Sequence, residues 1–545
     1  MQIHSAQLTA SAFAMLLLAG PLTANAQSPS PVVPEGRADQ ATPEPRSRQP
    51  LARDAELGGE APDIAPFTLS TVQIEGSSLP AAQLEAAWRP FVGRTIDGAE
   101  LSRLTDALVA VYETSPVAIY TVVVPSQDFA GGVLRIRTLE GWIADTAVRG
   151  GEDGKARAKV ETYLARIRAE RPLRRETLER YVSLIRDMPG LRSDMRLVTG
   201  AQPEAVRLEV DIDPQPLQVG LAANNRGTAF LGRTQVSADL YLNSWLQGGD
   251  QTRLTYATAT ESERFQYLAG SHTAPLNNDG TTLQFSAGKL RTRPAGAPLK
   301  GRAISAGVLL THPVLRSYDR DLYVSLGLDG LDADNAFLGS TFSDDRSRAL
   351  RGAAAYTWQT DRRLAYVAGT VSIGLDAFGG STLTPAITDL EFVKLNGRLR
   401  FSSFLGPQVL VRLNAAGQWS EDRLPASEQF ALGGDEFGRA YEAAIVAGDY
   451  GYAGSAELAW RPEGLPPKLS GSEAYAFVDG GRIWYRSRLF LPTQDADLGS
   501  LGLGVRAAWE QHISLELEAA KALSNPLPFL DRDDWRGVFT LRTLW

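Results

Sequence analysis

The sequence predicts a transmembrane β-barrel of sixteen antiparallel strands preceded by two small α+β units, and three observations carry that expectation. From about Gln215 to Trp545, polar and apolar residues alternate in stretches of about ten, separated by Gly, Asn, Asp and Pro. That is how strands read when one face meets lipid and the other a polar lumen. Between residues 66 and 214, apolar residues recur three and four apart in segments flanked by short alternating ones, as amphipathic helices packed on strands do. Beyond the N-terminus no run of about 18 apolar residues occurs, so a membrane span must be built from strands.

Taken in order, residues 1–26 read as a secretory signal. The apolar run Ala12–Ala19 is followed by Pro21 and by the small-x-small pattern Ala24-Asn25-Ala26, although the segment before it has no Lys or Arg, only the amino terminus and His4. The run is too short to cross about 30 Å of hydrocarbon as a helix. Residues 27–65 are rich in Pro, Ala, Ser, Glu and Arg and read as an extended linker. Leu51 to Leu57 could add a turn or two of helix, the core of a short plug, ended by Gly58-Gly59.

The first α+β unit spans 66–140: a strand at Phe67–Ile74, helices at Leu79–Phe91 and Ala99–Tyr112, then strands at Val117–Val124 and Val133–Leu139. The second spans 141–214 and repeats that order, with a strand at Trp142–Val148 and helices at Ala156–Ile167 and Arg175–Arg186. A Pro189-Gly190 stop follows, then strands at Met195–Val198 and Ala205–Ile212. Residues 215–545 form the barrel, with sixteen strands at about 20 residues per strand and connection; an even count closes a barrel of this kind. A soluble sandwich would place its apolar face inward and would be unusually large. On the last strand Phe539, Leu541, Thr543 and Trp545 share the lipid face, with Trp545 at an interface that suits an indole.

Composition excludes several functions. A net charge of -8 with no basic block gives no footprint for nucleic acid. Zero cysteines remove disulfides, thiolate metal sites and a Cys nucleophile, and the four histidines lie far apart without metal-ligand spacing. No Walker-type glycine loop occurs. Glu516 and Glu518 could mimic a carboxylate dyad, but without a Ser/His/acid grouping or a metal cluster no enzyme and no cofactor is expected.

The motifs that carry chemistry are Leu432-Gly433-Gly434, Gly438-Arg439-Ala440-Tyr441 and Phe477-Val478-Asp479-Gly480-Gly481. They put one arginine on a long loop and one aspartate on a neighbouring strand. A charge inside a barrel is paired or wet, so the two are a candidate gate. Tyr475, Phe477, Asp479 and Gly481 share one face, the lumenal one, and Gly480 and Gly481 leave room for an incoming loop.

With Val123-Val124-Pro125-Ser126-Gln127, Gly132-Val133-Leu134-Arg135-Ile136, Asp187-Met188-Pro189-Gly190-Leu191 and Gly448-Asp449-Tyr450-Gly451, these motifs follow a known order. The chain resembles the TpsB transporters of two-partner secretion, within the outer-membrane POTRA–barrel superfamily, over nearly all of its mature length. It departs where Gly438 and Ala440 flank Arg439, since the family usually has Val before the arginine and Gly after it. The resemblance implies an outer-membrane translocase with two periplasmic POTRA domains. It also implies a loop at about 425–450, between strands eleven and twelve, folded into the lumen, with Arg439 at its tip in a directional, bidentate pair with Asp479. Gly438, Tyr441, Phe477 and Gly481 complete that gating motif. The partner would be an unfolded TpsA-like β-helical exoprotein, moved without ATP. Its capture would use strand addition on the edge Ile119-Tyr120-Thr121-Val122-Val123, with Ile119, Thr121 and Val123 as contact residues. Phe539 and Trp545 would serve as the signal read by the barrel-assembly machinery, and outer-membrane lipid would surround the barrel. A barrel-protein insertase of the same superfamily and a diffusion porin are the competing readings.

Overall fold

The structure is a computed structural model that describes residues 64–545 apart from 153, 200–203, 297, 338–339, 490–491, 511 and 526–533, together with the backbone of Ala52–Arg53. The signal peptide and almost all of the Pro-rich linker therefore lie outside the described residues. Within the expected Leu51–Leu57 turn, Ala52–Arg53 are extended and pair in parallel with Arg196 and Leu197. A strand edge competes successfully there with a helix too short to be stable alone.

In the first unit, the strand expected at Phe67–Ile74 is two. Phe67–Thr68 pairs with Thr95–Ile96, and Thr71–Glu75 pairs with Val133–Glu140. The break falls where Leu69 donates its N–H to Arg94 O and Ser70 donates to Gly132 O, so the chain changes partners at that point. The three-stranded sheet runs Thr71–Glu75, Val133–Glu140, Tyr120–Val123. Helices Ala81–Trp88 and Gly98–Glu113 cover it, the second capped by the Asp97 carboxylate, which accepts the Glu100 N–H at 2.8 Å. Leu101, Leu104, Leu108 and Tyr112 recur at helical spacing and bury against Leu134 and Ile136.

The second unit sets Leu191–Thr199, Ala205–Pro214 and Trp142–Arg149 side by side under helices Lys155–Arg168 and Arg175–Arg186. Its helices dock on the turn end of the barrel that follows them. Lys159 Nζ donates to Asn277 O at 3.1 Å, Arg180 to Asp279 O and Pro313 O at 2.6 and 2.9 Å, and Tyr181 to the Asp279 carboxylate at 3.0 Å. Arg316, its side chain fully buried, bridges Asp187 at 2.5 Å and Asp321 at 2.6 Å. Burial here raises the pKa of Glu179 and lowers that of Lys159.

The barrel closes through sixteen long strands: Leu217–Asn224, Gln235–Asn243, Gln251–Ala259, Phe265–Pro275, Thr282–Thr292, Leu299–Arg316, Arg320–Phe337, Ser340–Gln359, Arg363–Gly374, Val393–Phe404, Val409–Ser420, Tyr450–Trp460, Glu473–Tyr485, Gln494–Trp509, Ile513–Ala522 and Trp535–Leu544. They are numbered strands 1 to 16 below. Every neighbouring pair is antiparallel, and the two-residue segment Ser381–Thr382 adds only to strand 8. Strand 1 meets strand 16 from Gly220↔Leu544 to Asn224↔Thr540, extended by reciprocal bonds between Val219 and Trp545 at 2.9 and 3.0 Å. Alternation sorts the faces: on strand 7, Val324, Leu326 and Leu328 are exposed, while Gly327 between them is buried. No helix among the described residues is long and apolar enough to cross a membrane, so this cylinder provides the crossing.

Candidate functional site: a loop clasped in the lumen

Between strands 11 and 12, residues 421–449 fold back into the barrel. A hairpin of Phe430–Leu432 with Val446–Gly448 forms the stem. At the tip, Gly433, Gly434 and Gly438 adopt φ of 101°, 115° and 81°, a region L-residues with a Cβ avoid. The turn they make brings Phe437, Arg439, Ala440 and Tyr441 into the interior, Tyr441 with no exposed surface. The Tyr441 hydroxyl lies 2.7 Å from Ser524 O and 2.9 Å from Gly499 O, and Arg536 donates to the Tyr441 carbonyl.

Arg439 and Asp479 are brought together, but not as a bidentate pair. Asp479 accepts the backbone N–H of Gly438 at 2.7 Å and the Ser500 hydroxyl at 2.5 Å, and its other oxygen lies 3.4 Å from the Arg439 N–H. Arg439 Nε is 3.7 Å from that carboxylate and, buried, makes no hydrogen bond. The guanidinium instead donates through Nη1 to Glu457 at 3.0 Å and Glu518 at 3.3 Å and stacks over the Phe477 ring at 4.2 Å. The aspartate holds the backbone of the tip, and two glutamates on strands 12 and 15 hold its charge. The cause is geometric: one Asp479 oxygen takes both the Gly438 N–H and the Ser500 hydroxyl, the other faces the Arg439 N–H, and the arginine side chain reaches past them to the glutamates.

The glutamates belong to a wider lattice. Arg506 is bidentate to Glu457 at 2.6 and 3.0 Å, reaches Glu473 at 2.9 Å and stacks over Tyr475 at 3.8 Å. Arg412 bridges Glu457 and Glu473 at 2.6 and 2.8 Å. The Tyr475 hydroxyl lies 2.8 and 2.9 Å from oxygens of Glu516 and Glu518, the two carboxylates that could mimic a dyad; Glu516 also accepts from Arg506 at 3.3 Å and Glu518 from Arg439 at 3.3 Å. Inward positions 502 and 504 of strand 14 are glycines. A Cβ at Gly502 would fall 2.6 Å from the Phe477 ring, and one at Gly504 2.3 Å from the Tyr475 ring. Bare wall lets both rings lie flat and carry the two guanidinium groups.

Two further clusters pin the base of the loop. Glu428 is held by Arg351 at 2.9 and 3.1 Å and by Lys394 at 2.7 Å, and Arg351 also grips Asp329 at 2.6 and 3.0 Å. Asp449, in the Gly448–Gly451 motif, takes both Arg488 nitrogens at 2.8 Å and the N–H groups of Leu424 and Arg486 at 2.8 Å. The fork-to-carboxylate geometry expected of Arg439 thus stands at Arg488. A Cβ at Gly481 would meet Tyr452 O of strand 12 at 2.6 Å as well as Leu432 of the loop at 3.0 Å, so wall and loop both close on this position, whereas Gly480 lies against Leu498 of strand 14.

In the first unit, Tyr120–Val123 stands at the end of its sheet, with Val133–Glu140 as its neighbouring strand among the described residues. Ile119 accepts the Gly141 N–H at 2.8 Å and packs on the second unit's core. Antiparallel alternation then turns the backbone groups of Thr121 and Val123 into the sheet and those of Val122 outward. Just upstream, Arg175 donates to Pro116 O and Ala118 to Leu173 O, closing that end of the edge. At the C-terminus, Leu541 and Trp545 are exposed, Phe539 is half-buried, and Trp545 stacks on His512 at 5.0 Å. The described residues contain no group of side chains able to hold a metal.

A closed barrel with a loop folded into its lumen and compact α+β units at its turn end defines an outer-membrane transporter with N-terminal POTRA domains. The family profile described as "Haemolysin secretion/activation protein ShlB/FhaC/HecB" matches residues 205–507, and that of "POTRA domain, ShlB-type" matches residues 67–141. The chain belongs to this haemolysin secretion/activation family, the TpsB transporters, and resides in the outer membrane with its POTRA domains on the periplasmic side. It is 24% identical to the outer membrane transporter CdiB of Escherichia coli, over 92% of this chain and 86% of that one. It is 19% identical to the heme/hemopexin transporter protein HuxB of Haemophilus influenzae, over 86% and 85%. The structure of CdiB from Escherichia coli superposes with a TM-score of 0.71 at 18% identity, covering 95% of both chains.

Proposed function

We propose that the chain exports an unfolded, TpsA-like β-helical exoprotein through its barrel, without ATP. The N-terminal units, at 66–140 and 141–214, capture the client in the periplasm, and the lumenal loop gates the path. The observation that carries this reading is the loop tip itself: Arg439, 7% exposed, held by carboxylates from three different strands. A diffusion pore has no use for so costly a buried ion cluster across its own path. Tied at both base and tip, the loop is an element with two arrangements, in and out, on which an arriving client can act. Capture is by strand addition at Tyr120–Val123, where Val122 turns its backbone outward and Thr121 and Val123 set the side-chain register. Directionality comes from the client folding outside. Phe539 and Trp545 engage the barrel-assembly machinery during biogenesis.

The test is site-specific photocrosslinking from positions 121 and 123 in cells that also make a candidate TpsA-like exoprotein. Adducts of exoprotein with the POTRA unit are expected, together with exoprotein in the medium. Free secretion with no adducts, or secretion by a chain lacking residues 67–214, would overturn the capture step.

A further inference from the structure

Strands 6 to 8, of 18, 18 and 20 residues, are the longest of the wall and rise past its apolar band, with strand 5 beside them. Their outward residues change character at one level. Strand 5 passes from Phe285 and Ala287 to Lys289 and Arg291, with Arg293 just past its end; strand 6 passes from Val308, Ala306 and Ile304 to Arg302 and Lys300. Strand 7 passes from Leu328 and Gly330 to Asp332 and Asp334, and strand 8 from Leu350 to Arg348 and Arg346. Cross-strand partners share a face, and Arg291↔Arg302 and Arg302↔Asp334 continue the column of exposed Ile304 and Leu328, so these charges point away from the lumen. The POTRA units sit at the opposite end, which places this belt at the extracellular side, at the height of the outer leaflet's headgroups.

An open cavity of about 660 Å³ lies in the belt, with Arg291, Arg293, Lys300, Arg302 and Arg346 in its walls beside Glu263, Asp334 and Asp344. Arg293 lies 3.8 Å from Glu263. Arg302 is bound by Asp334 at 2.7 Å and Arg346 faces Asp344 at 3.3 Å. Lys289, Arg291 and Lys300 make no ion pair with any described residue. On the far wall, the outward Arg482 of strand 13 is neutralised by Asp495 at 2.5 Å, beside Asp497. Uncompensated cations are therefore concentrated on strands 5 and 6, beside lipid.

We propose that this cavity binds the phosphorylated sugar headgroup of an outer-leaflet glycolipid of the lipid A class. Arg291 and Lys300 bind the phosphate, Asp334 and Asp344 accept sugar hydroxyls, and the acyl chains lie along Phe285, Val308 and Leu328. Basic pockets beside apolar wall are how membrane proteins hold anionic headgroups. The lipid anchors this side of the barrel at a fixed height while the loop and client work within.

The test uses the full-length protein in detergent, with bisphosphorylated lipid A as probe and binding read by native mass spectrometry. Arg291→Ala/Lys300→Ala is expected to weaken binding about tenfold, as two lost charge-assisted contacts imply. The charge-preserving pair Arg291→Lys/Lys300→Arg is expected to bind like wild type. Dephosphorylated lipid A should bind both wild type and the alanine pair weakly and equally. Equal binding of lipid A by wild type and the alanine pair, with both barrels intact by heat-modifiable electrophoretic mobility, overturns the site. Displacement of lipid A by millimolar inorganic phosphate overturns the lipid assignment and leaves a free-anion site.

Discussion

The Arg439 guanidinium lies 4.2 Å above the Phe477 ring, and that ring rests on wall that Gly502 leaves bare. Stacked from below, the cation is gripped at its edge by Glu457 and Glu518. Arg439→Ala leaves those carboxylates buried with one cation fewer, a loss of about 3–5 kcal/mol from the closed position, less where water fills the space. The expected outcome is a barrel that assembles at wild-type level, a larger and noisier single-channel conductance, and exoprotein export near background. Arg439→Lys keeps the charge but not the planar stacking, and should fall between the two. Wild-type secretion by Arg439→Ala at equal barrel abundance would sink the gate.

Asp479 has a different task, and a substitution separates it from charge pairing. Its carboxylate accepts from the Gly438 N–H and the Ser500 hydroxyl. Asp479→Asn keeps an oxygen for both donors and gives up only a 3.7 Å ion pair, so it should export better than Asp479→Ala, which orphans the N–H at a cost of about 1–3 kcal/mol. Secretion assays of the two variants side by side decide this; equal and complete loss in both would mean the charge, not the backbone contact, is what matters.

Much of this was legible in the sequence, and the omissions have a physical pattern. A period of two assigns each residue to a face, which is why strand 13 put Tyr475, Phe477 and Asp479 inward and the strand count follows from turn spacing. The helix Arg175–Arg186 matches its apolar spacing residue for residue. Periodicity does not say which lumenal side chains meet across the barrel. Glu457 and Glu518 reach Arg439 only because closure and stagger bring strands 12 and 15 to the same height. The one available signal was the unusual count of inward acids and arginines on strands 11 to 15, namely Arg412, Glu457, Glu473, Arg506, Glu516 and Glu518, which cannot all be solvated in a plugged lumen. Likewise, the break at Leu69–Ser70 comes from partners distant in sequence, Arg94 and Gly132.

Gly504 offers a test of the bare wall that leaves every charge in place. A Cβ there would meet the Tyr475 ring at 2.3 Å and no backbone atom among its nearest neighbours, so the ring must lift and its hydroxyl leave Glu516 and Glu518. Gly504→Ala is expected to raise channel conductance while barrel yield changes little. Gly502→Ala, whose Cβ would fall 2.4 Å from Ala519 O, should instead lower yield. Measured by heat-modifiability for assembly and planar-bilayer recording for conductance, the two glycines should thus part ways.

The joint between the second N-terminal unit and the barrel hangs on Arg316, whose buried guanidinium ties Asp187 of the unit to Asp321 of strand 7. Arg316→Met supplies volume but strands two carboxylates, at a cost of about 3–5 kcal/mol unless the joint opens to water. Opening is the cheaper response, because Asp187 is already about a fifth exposed. The unit should then swing on the short connection at 214–217, and protease should cut there severalfold faster in Arg316→Met than in wild type. Asp187→Asn leaves Arg316 paired with Asp321 and should show only part of that effect. Because no residue of the lumenal clasp is touched, single-channel conductance should stay at the wild-type value while export falls. A rise in conductance in Arg316→Met would show that the joint and the loop are one mechanical unit rather than two.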